Sequence, residues 1–175
     1  MSFTFTKATK SAAKLRAALF GPSGAGKTFT ALRIAAGLGG AIAVIDTERG
    51  SASKYADRFS FDVLHLEYAG IPSYQGAIEA AAQAGYPVLI IDSLSHGWQE
   101  LLQEIDRLAA AKYRGNTWSA WSEGTPKQRA LVEAILTYPG HVIATMRSRT
   151  EWSIEADGKG RQKPVRVGLA PEQGK

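Results

Sequence analysis

A chain of 175 residues, 45% hydrophobic and 21% charged, has the make-up of one ordinary globular domain large enough to bury a core. The absence of cysteine excludes a disulfide framework, a thiolate metal site and a cysteine nucleophile, and suits a reducing cytoplasm. No run of 18 apolar residues exists, so no membrane partner is expected, and the net charge of +5 fits either a solvated basic surface or a polyanion partner.

Residues 1–14 carry Lys7, Lys10 and Lys14 with no acid. They read as a basic arm with a short strand near 3–6, and residues 15–175 as the domain. No apolar h-region of a secretory leader is present at the start. Residues 15–20 are a short, mostly apolar run, as a buried strand would be. It ends at Gly21-Pro22-Ser23-Gly24-Ala25-Gly26-Lys27-Thr28, the G-x-x-x-x-G-K-T pattern of a P-loop. Glycines there let backbone N–H groups approach phosphate oxygens. Lys27 supplies a compact cation for the β- and γ-phosphates, and Thr28 a hydroxyl for Mg²⁺. Residues 28–38 then show helical spacing through Phe29, Leu32, Ile34, Ala35 and Leu38, stopped by Gly39-Gly40. That helix aims its N-terminal dipole at the same phosphates. The binding residues expected from the loop are Gly21 to Thr28 together with Phe29.

Residues 41–46 form an apolar run ending in Asp46, as a parallel strand should, followed by Thr47-Glu48-Arg49-Gly50. A short polar helical stretch is predicted at 53–58 and a strand at 62–66. Ser73 can cap a helix through residue 84. Val88-Leu89-Ile90-Ile91-Asp92 is four apolar residues and an acid, the Walker B pattern. A carboxylate at the carboxyl edge of such a strand lies where ligands bind, so Asp92 is the expected Mg²⁺ carboxylate, with Thr28 its partner. Residues 96–112 are amphipathic, with Trp98, Leu101, Leu102, Ile105, Leu108 and Ala109 on one face, which reads Trp98 as core. Residues 113–124 read as a loop or short irregular helix. Thr125-Pro126-Lys127-Gln128 then predicts a fresh helix, with Thr125 as N-cap, Pro126 at N1 and Gln128 closing a capping box. That helix runs to about Tyr138, and the last core strand is expected at 140–146. Beyond it, residues 151–156 and 163–169 alternate about Asp157-Gly158-Lys159-Gly160, a hairpin signal over 150–169.

Together these pieces resemble the RecA-like ATPases, and more narrowly the phage-encoded RecA-like proteins of the single-strand annealing and recombination group. Three stretches carry the resemblance: the P-loop, Val44-Ile45-Asp46-Thr47-Glu48, and Leu89-Ile90-Ile91-Asp92-Ser93. The stretch 145–152, followed by a basic hairpin, points to the phage group. The resemblance implies one α/β domain, a mainly parallel twisted sheet with helices on both faces, and the 140–146 strand between the P-loop and Walker B strands. It implies an ATP- and Mg²⁺-dependent hydrolase with Lys27, Glu48 and Asp92 as catalytic residues, Glu48 being the base for the attacking water. It further implies partners: single-stranded DNA, other copies of the chain in a ring or filament, and a single-strand binding protein. The family's Asn-Gln γ-phosphate sensor is missing, and Thr145 and Arg147 stand near its place. By the same resemblance, further strand is expected after Gln173.

Two DNA-contacting segments follow from the resemblance, at 113–124 and 147–166. The first holds Tyr113, Arg114, Trp118 and Trp121. The second holds Arg147, Arg149, Trp152, Lys159, Arg161 and Lys163, the candidate DNA-binding residues. Aromatics among cations suit single-strand binding. The alternative is tryptophans packed beneath their own loops and charges that are only solvated. For Glu48 the alternative is a solvated acid paired with Arg49. Phe5-Thr6-Lys7-Ala8 matches a subunit-docking F-x-x-A pattern, though a Phe packed on its own domain fits as well. Two other function classes stay open. One is a P-loop kinase of a small molecule or protein, against which no arginine-rich lid is visible. The other is a nucleotide-switched assembly module with little turnover.

Overall fold

The computed structural model describes residues 4, 5, 7, 13–156 and 162–171, of which 150–156, 163–167 and 169–171 by backbone path. The chain runs β1 (Arg16–Gly21), α1 (Lys27–Leu38), β2 (Ile42–Asp46), a 3-10 turn (Ala52–Tyr55), β3 (Asp62–His65) and α2 (Ile71–Gln83). It continues through β4 (Val88–Asp92), α3 (Leu94–Lys112), α4 (Thr117–Thr137), β5 (His141–Ala156) and β6 (Gln162–Pro171). The sheet order is β1-β5-β4-β2-β3, with all four of these pairings parallel and β6 added antiparallel to β5. The fold is the α/β P-loop architecture expected from the sequence, and β5 lies between the P-loop strand and the Walker B strand.

The apolar runs of β2 and β4 are buried on both faces because each face carries its own layer. Side chains alternate between the layers. Ile42, Val44, Val88, Ile90 and Ile143 meet Ala31, Leu32 and Ala35 of α1. Ala43, Ile45, Leu89, Ile91, Val142 and Ala144 meet α2, with Leu101 of α3 and Leu131 of α4. Each fully buried aliphatic side chain of this kind contributes about 1.5–3 kcal/mol. The five parallel strands start near one edge, so Gly21, Asp46 and Asp92 finish together at the other. The amino edge is tied down separately. The Arg16 guanidinium donates to the carbonyls of Gly140 (2.6 Å), Leu136 and Tyr138, and the Leu15 N–H to His141 Nδ1 (2.9 Å).

Three local expectations are corrected. Ser73 lies inside α2, whose N-cap is Gly70 with Pro72 in the first turn. Thr125 and Pro126 do not open a helix, because α4 has already begun at Thr117. There Asn116 caps it by accepting the Ser119 N–H at 3.1 Å. Pro126 is tolerated in the interior because α3 holds this segment. Trp121 stacks on Trp98 at 5.6 Å, and Gly124 lies so close to Ile105 that a Cβ there would collide with it. The third correction concerns β5. The last core strand and the first hairpin strand are one 16-residue strand, paired to β1 as far as Arg147 and to β6 from Ser148 onward. The hairpin therefore projects beyond the carboxyl edge as a direct continuation of the core. Its 157–160 turn falls outside the described residues, and of the strand expected near residues 3–6 only residues 4 and 5 are described, neither of them in a strand. No helix among the described residues is long and apolar enough to cross a membrane.

Candidate nucleotide site at the carboxyl edge

The P-loop owes its shape to two left-handed residues that only glycine adopts freely, Gly24 (φ 77°) and Gly26 (φ 78°). Gly26 is also the N-cap of α1, and no side chain caps that end. The first-turn amides of α1 thus depend on an outside acceptor, as anion sites at helix starts do. Lys27 Nζ donates to the carbonyls of Gly21 (3.0 Å) and Pro22 (2.9 Å), folded back over the loop it belongs to. A cavity of about 300 Å³ opens there, and Lys27, Thr28, Glu48, Asp92 and Arg147 all line it. Phe29 is placed differently: its ring packs edge-on against Tyr55 (5.7 Å) and Phe59 (5.4 Å). This contact fastens the 3-10 turn to α1 and so brings Lys54 and Tyr55 to the cavity wall.

Asp92 is 1% exposed and accepts from two hydroxyls. Thr28 Oγ1 donates to Oδ2 at 2.6 Å, and Thr145, from β5, donates to Oδ1. Burial pushes its carboxyl above the ordinary 3.8; the two hydroxyl bonds oppose this, while the charges of Glu48 and Asp46 reinforce it. A buried acid held beside a threonine hydroxyl is a ready pair of hard oxygen ligands, which suits Mg²⁺. Among the described residues no cluster of three or more acids and histidines forms an all-protein metal cage. The donor set therefore fits an ion completed by phosphate oxygens and water.

Glu48 sits two residues past the end of β2. Asp46, also 1% exposed, shapes this turn by accepting the Glu48 N–H at 2.6 Å and the Ala52 N–H at 3.4 Å. The Glu48 carboxylate is not paired with the adjacent Arg49. It receives a two-point ion pair from Arg147, Nε to Oε1 at 3.1 Å and Nη2 to Oε2 at 2.7 Å. Ser93 Oγ donates to Oε1 at 3.2 Å, and His96 Nε2 lies 3.8 Å away. Burial alone would raise this carboxyl. The Arg147 hydrogen bonds and charge, with help from His96 and Ser93, outweigh burial and hold it below 4.5.

Behind these acids lies a polar layer that the sequence did not disclose. The Thr47 hydroxyl accepts the Ser93 N–H at 3.0 Å and is 2.8 Å from His96 Nδ1. The Tyr74 hydroxyl, whose pKa burial raises to about 12, donates to the Ser93 carbonyl at 2.6 Å. Ser95 Oγ accepts the Arg147 N–H at 2.8 Å. The Asp92–Ser93 peptide in this layer is cis. These residues come from β2, α2, β4, α3 and β5, and no linear motif joins them. The one available signal was the run of polar residues, Ser93 to His96, directly after an apolar strand.

The candidate DNA contacts divide. Arg147 belongs to the nucleotide cavity. Arg149 is exposed on β5, two residues further out. Trp152 and Lys163 lie on the paired strands β5 and β6, but their side chains, like all of Lys159 and Arg161, fall outside the described residues. Of the 113–124 segment, residues 113–116 lie past the far end of α3, whose 19 residues span roughly 28 Å, and 117–124 are the first turns of α4, which returns along α3. There Tyr113 donates to Glu123 at 2.6 Å and Trp121 is stacked on Trp98, whereas Trp118 is 87% exposed. Phe5 is fully exposed rather than packed on the domain.

A family model described as an AAA domain matches residues 13–175. A search of curated proteins finds no match to the chain.

Proposed function

The chain belongs to the AAA domain family of P-loop ATPases, and from that premise we propose an Mg²⁺-dependent ATPase that binds single-stranded DNA and supports annealing and homologous recombination. The observation that carries the nucleotide half is convergence. Lys27 and Thr28 from the P-loop, Asp92 from β4 and Glu48 from the turn after β2 face one cavity. Thr28 and Asp92 would hold the metal, which when bound neutralises charge on the β- and γ-phosphate oxygens. Lys27 exchanges its two carbonyl partners for phosphate oxygens. Glu48 orients a water toward the γ-phosphorus and accepts its proton as ADP leaves. The low pKa keeps Glu48 ionised and available at neutral pH. The test is phosphate release from ATP with and without Mg²⁺, which should vanish in Lys27→Ala; equal release from that variant would remove the P-loop from the reaction.

The DNA half is supported by the basic sequence of the hairpin and by its position. It extends the strand that carries Thr145 and Arg147, so nucleotide cavity and hairpin share one continuous strand. Replacing Lys159, Arg161 and Lys163 together with alanine should weaken single-strand binding and lower its salt dependence. Unchanged affinity would take the hairpin out of the binding site. Assembly into a ring or filament, phage origin and a single-strand binding protein as partner belong to the same reading.

One observation favours a second reading, a P-loop kinase. A larger cavity of about 940 Å³, lined by His65, Glu67, His96, Glu100 and Gln103, opens on the same Glu48 and Arg147. An acceptor seated there would adjoin the general base. Product analysis separates the two: free phosphate supports the hydrolase, a phosphorylated acceptor the kinase.

A further inference from the structure

We propose that the larger cavity beside Glu48 is a base subsite, which seats one unpaired, amino-bearing base of a DNA single strand, stacked on Tyr68 and read by Glu100. This deepens the DNA half of the reading above and rests on it. The cavity holds about 940 Å³, near the top of the roughly 300–1,000 Å³ that small-molecule sites span. One wall is α3, where His96, Glu100 and Gln103 recur at four- and three-residue spacing and so share a face. The facing wall is the segment after β3, which brings Glu67 and Tyr68.

Tyr68 supplies the platform. Its ring leans on Gly70, so closely that a Cβ there would collide with it, yet the residue is 58% exposed. A ring backed on one side and open elsewhere offers a π-face to any base. Charge then decides which part of a strand can enter. The carboxylates of Asp46, Glu48, Glu67 and Glu100 line the cavity, and Arg147 is engaged by Glu48. Phosphate is therefore repelled from the interior. Cations stand at the margins. Arg49 is exposed on the wall, and Arg149 follows Arg147 on the same face of β5, about 7 Å further out. Arg107 lines an adjoining hollow of about 410 Å³, which shares Tyr68 and Glu100 with the cavity. A strand can thus keep its backbone on the cations and turn a base inward. The same cations would repel a basic peptide. The carboxylates also select the base. A carboxylate accepts from the exocyclic amine of cytosine, where thymine presents a carbonyl oxygen.

Fluorescence anisotropy with labelled dC and dT oligonucleotides of equal length tests this. The wild type should bind oligo-dC roughly 3- to 10-fold more tightly than oligo-dT. Glu100→Gln, whose amide can both donate and accept, should bring the two within about twofold. Tyr68→Ala should weaken both roughly 5-fold or more without changing the salt slope, and Tyr68→Phe, which keeps the ring, should restore wild-type affinity. The triple hairpin variant should do the reverse, lowering the salt slope while keeping the dC preference. Circular dichroism and thermal melting identify any variant that does not fold. Equal or reversed affinities in the wild type, a preference that survives Glu100→Gln, or undiminished binding by Tyr68→Ala would overturn the subsite and leave the DNA reading standing. Failure of the wild type to bind either oligonucleotide would instead overturn the DNA reading, and the subsite with it. Displacement of oligo-dC by free dCMP at equal nucleotide concentration would assign the cavity to a mononucleotide. Tighter binding of a labelled oligolysine than of either oligonucleotide would assign it to a basic peptide. Either result would overturn the proposal.

Discussion

The two halves of the nucleotide cavity are built by different means. The phosphate-gripping half is eight consecutive residues, and most of its chemistry is backbone: two left-handed glycines, an uncapped helix start and one lysine folded onto its own loop. The acidic half is assembled from β2, β4 and β5 with α2 and α3 behind it. Asp46 and Asp92 are each 1% exposed there, and several hydroxyls and one guanidinium converge on the acids. The first half needs only that a loop join a strand to a helix. The second exists only if the strand order is β1-β5-β4-β2-β3. The gripping half should therefore fail by losing ligand, and the acidic half by losing turnover, pH response or fold.

The largest effect expected is on the gripping side. Lys27→Ala should abolish measurable ATP binding by calorimetry without altering the far-ultraviolet spectrum. Retained binding would mean that the loop does not hold the phosphates. On the acidic side, Glu48→Gln should cut steady-state phosphate release by roughly 10²- to 10⁴-fold while keeping ATP bound. Normal turnover would remove Glu48 as the base and break the contrast between the halves.

A third change probes the scaffold. Tyr74→Phe removes the shorter of two hydroxyl bonds to the Ser93 carbonyl, the other coming from Thr47 at 3.2 Å, and should cost roughly 1–3 kcal/mol in urea unfolding. A loss below experimental error would show that the carbonyl finds another donor.

The pH response sharpens the comparison further. Glu48 must be ionised to accept a proton, and the Arg147 pair keeps it below 4.5 against the effect of burial. Removing the guanidinium takes away the largest opposition to burial and leaves only His96 and Ser93, so in Arg147→Gln the acidic limb of the rate profile should move to higher pH. The same pair contributes stability above the unfolded pKa of Glu48, lost as pH falls through its lower folded value. The variant should lack that acid-side loss. An unmoved limb would mean that Glu48 is not the titrating group. The smallest effect is expected at Trp118, which is 87% exposed: Trp118→Ala should leave stability within about 0.5 kcal/mol. A larger loss would show that this ring is covered in solution.

Strand and helix identities were legible because their periods are local: four apolar residues before Asp92, helical spacing after Thr28, alternation beyond residue 150. Boundaries failed where packing overrode local chemistry. Thr125-Pro126 carries a helix-start signal, yet Trp121 and Gly124 fit against α3, so the helix begins at Thr117, capped by Asn116, and runs through the proline. Arg147 read both as a cation at the root of the basic hairpin and as a residue near the place of the missing γ-phosphate sensor. Its spatial neighbour is Glu48, 99 residues away.

What the sequence determined by itself was everything a short segment can encode: the phosphate loop, the strand ends that carry acids, and the parallel α/β class. Backbone conformation and burial pattern are set within a few residues, so a motif suffices. The tertiary structure alone decided which charges meet. The place of β5 between β1 and β4 was expected from the resemblance, but only the register set Thr145 on Asp92 and Arg147 on Glu48. Such pairings depend on strand order and register, because Coulomb attraction and hydrogen bonds act across a few ångströms of space rather than along the chain.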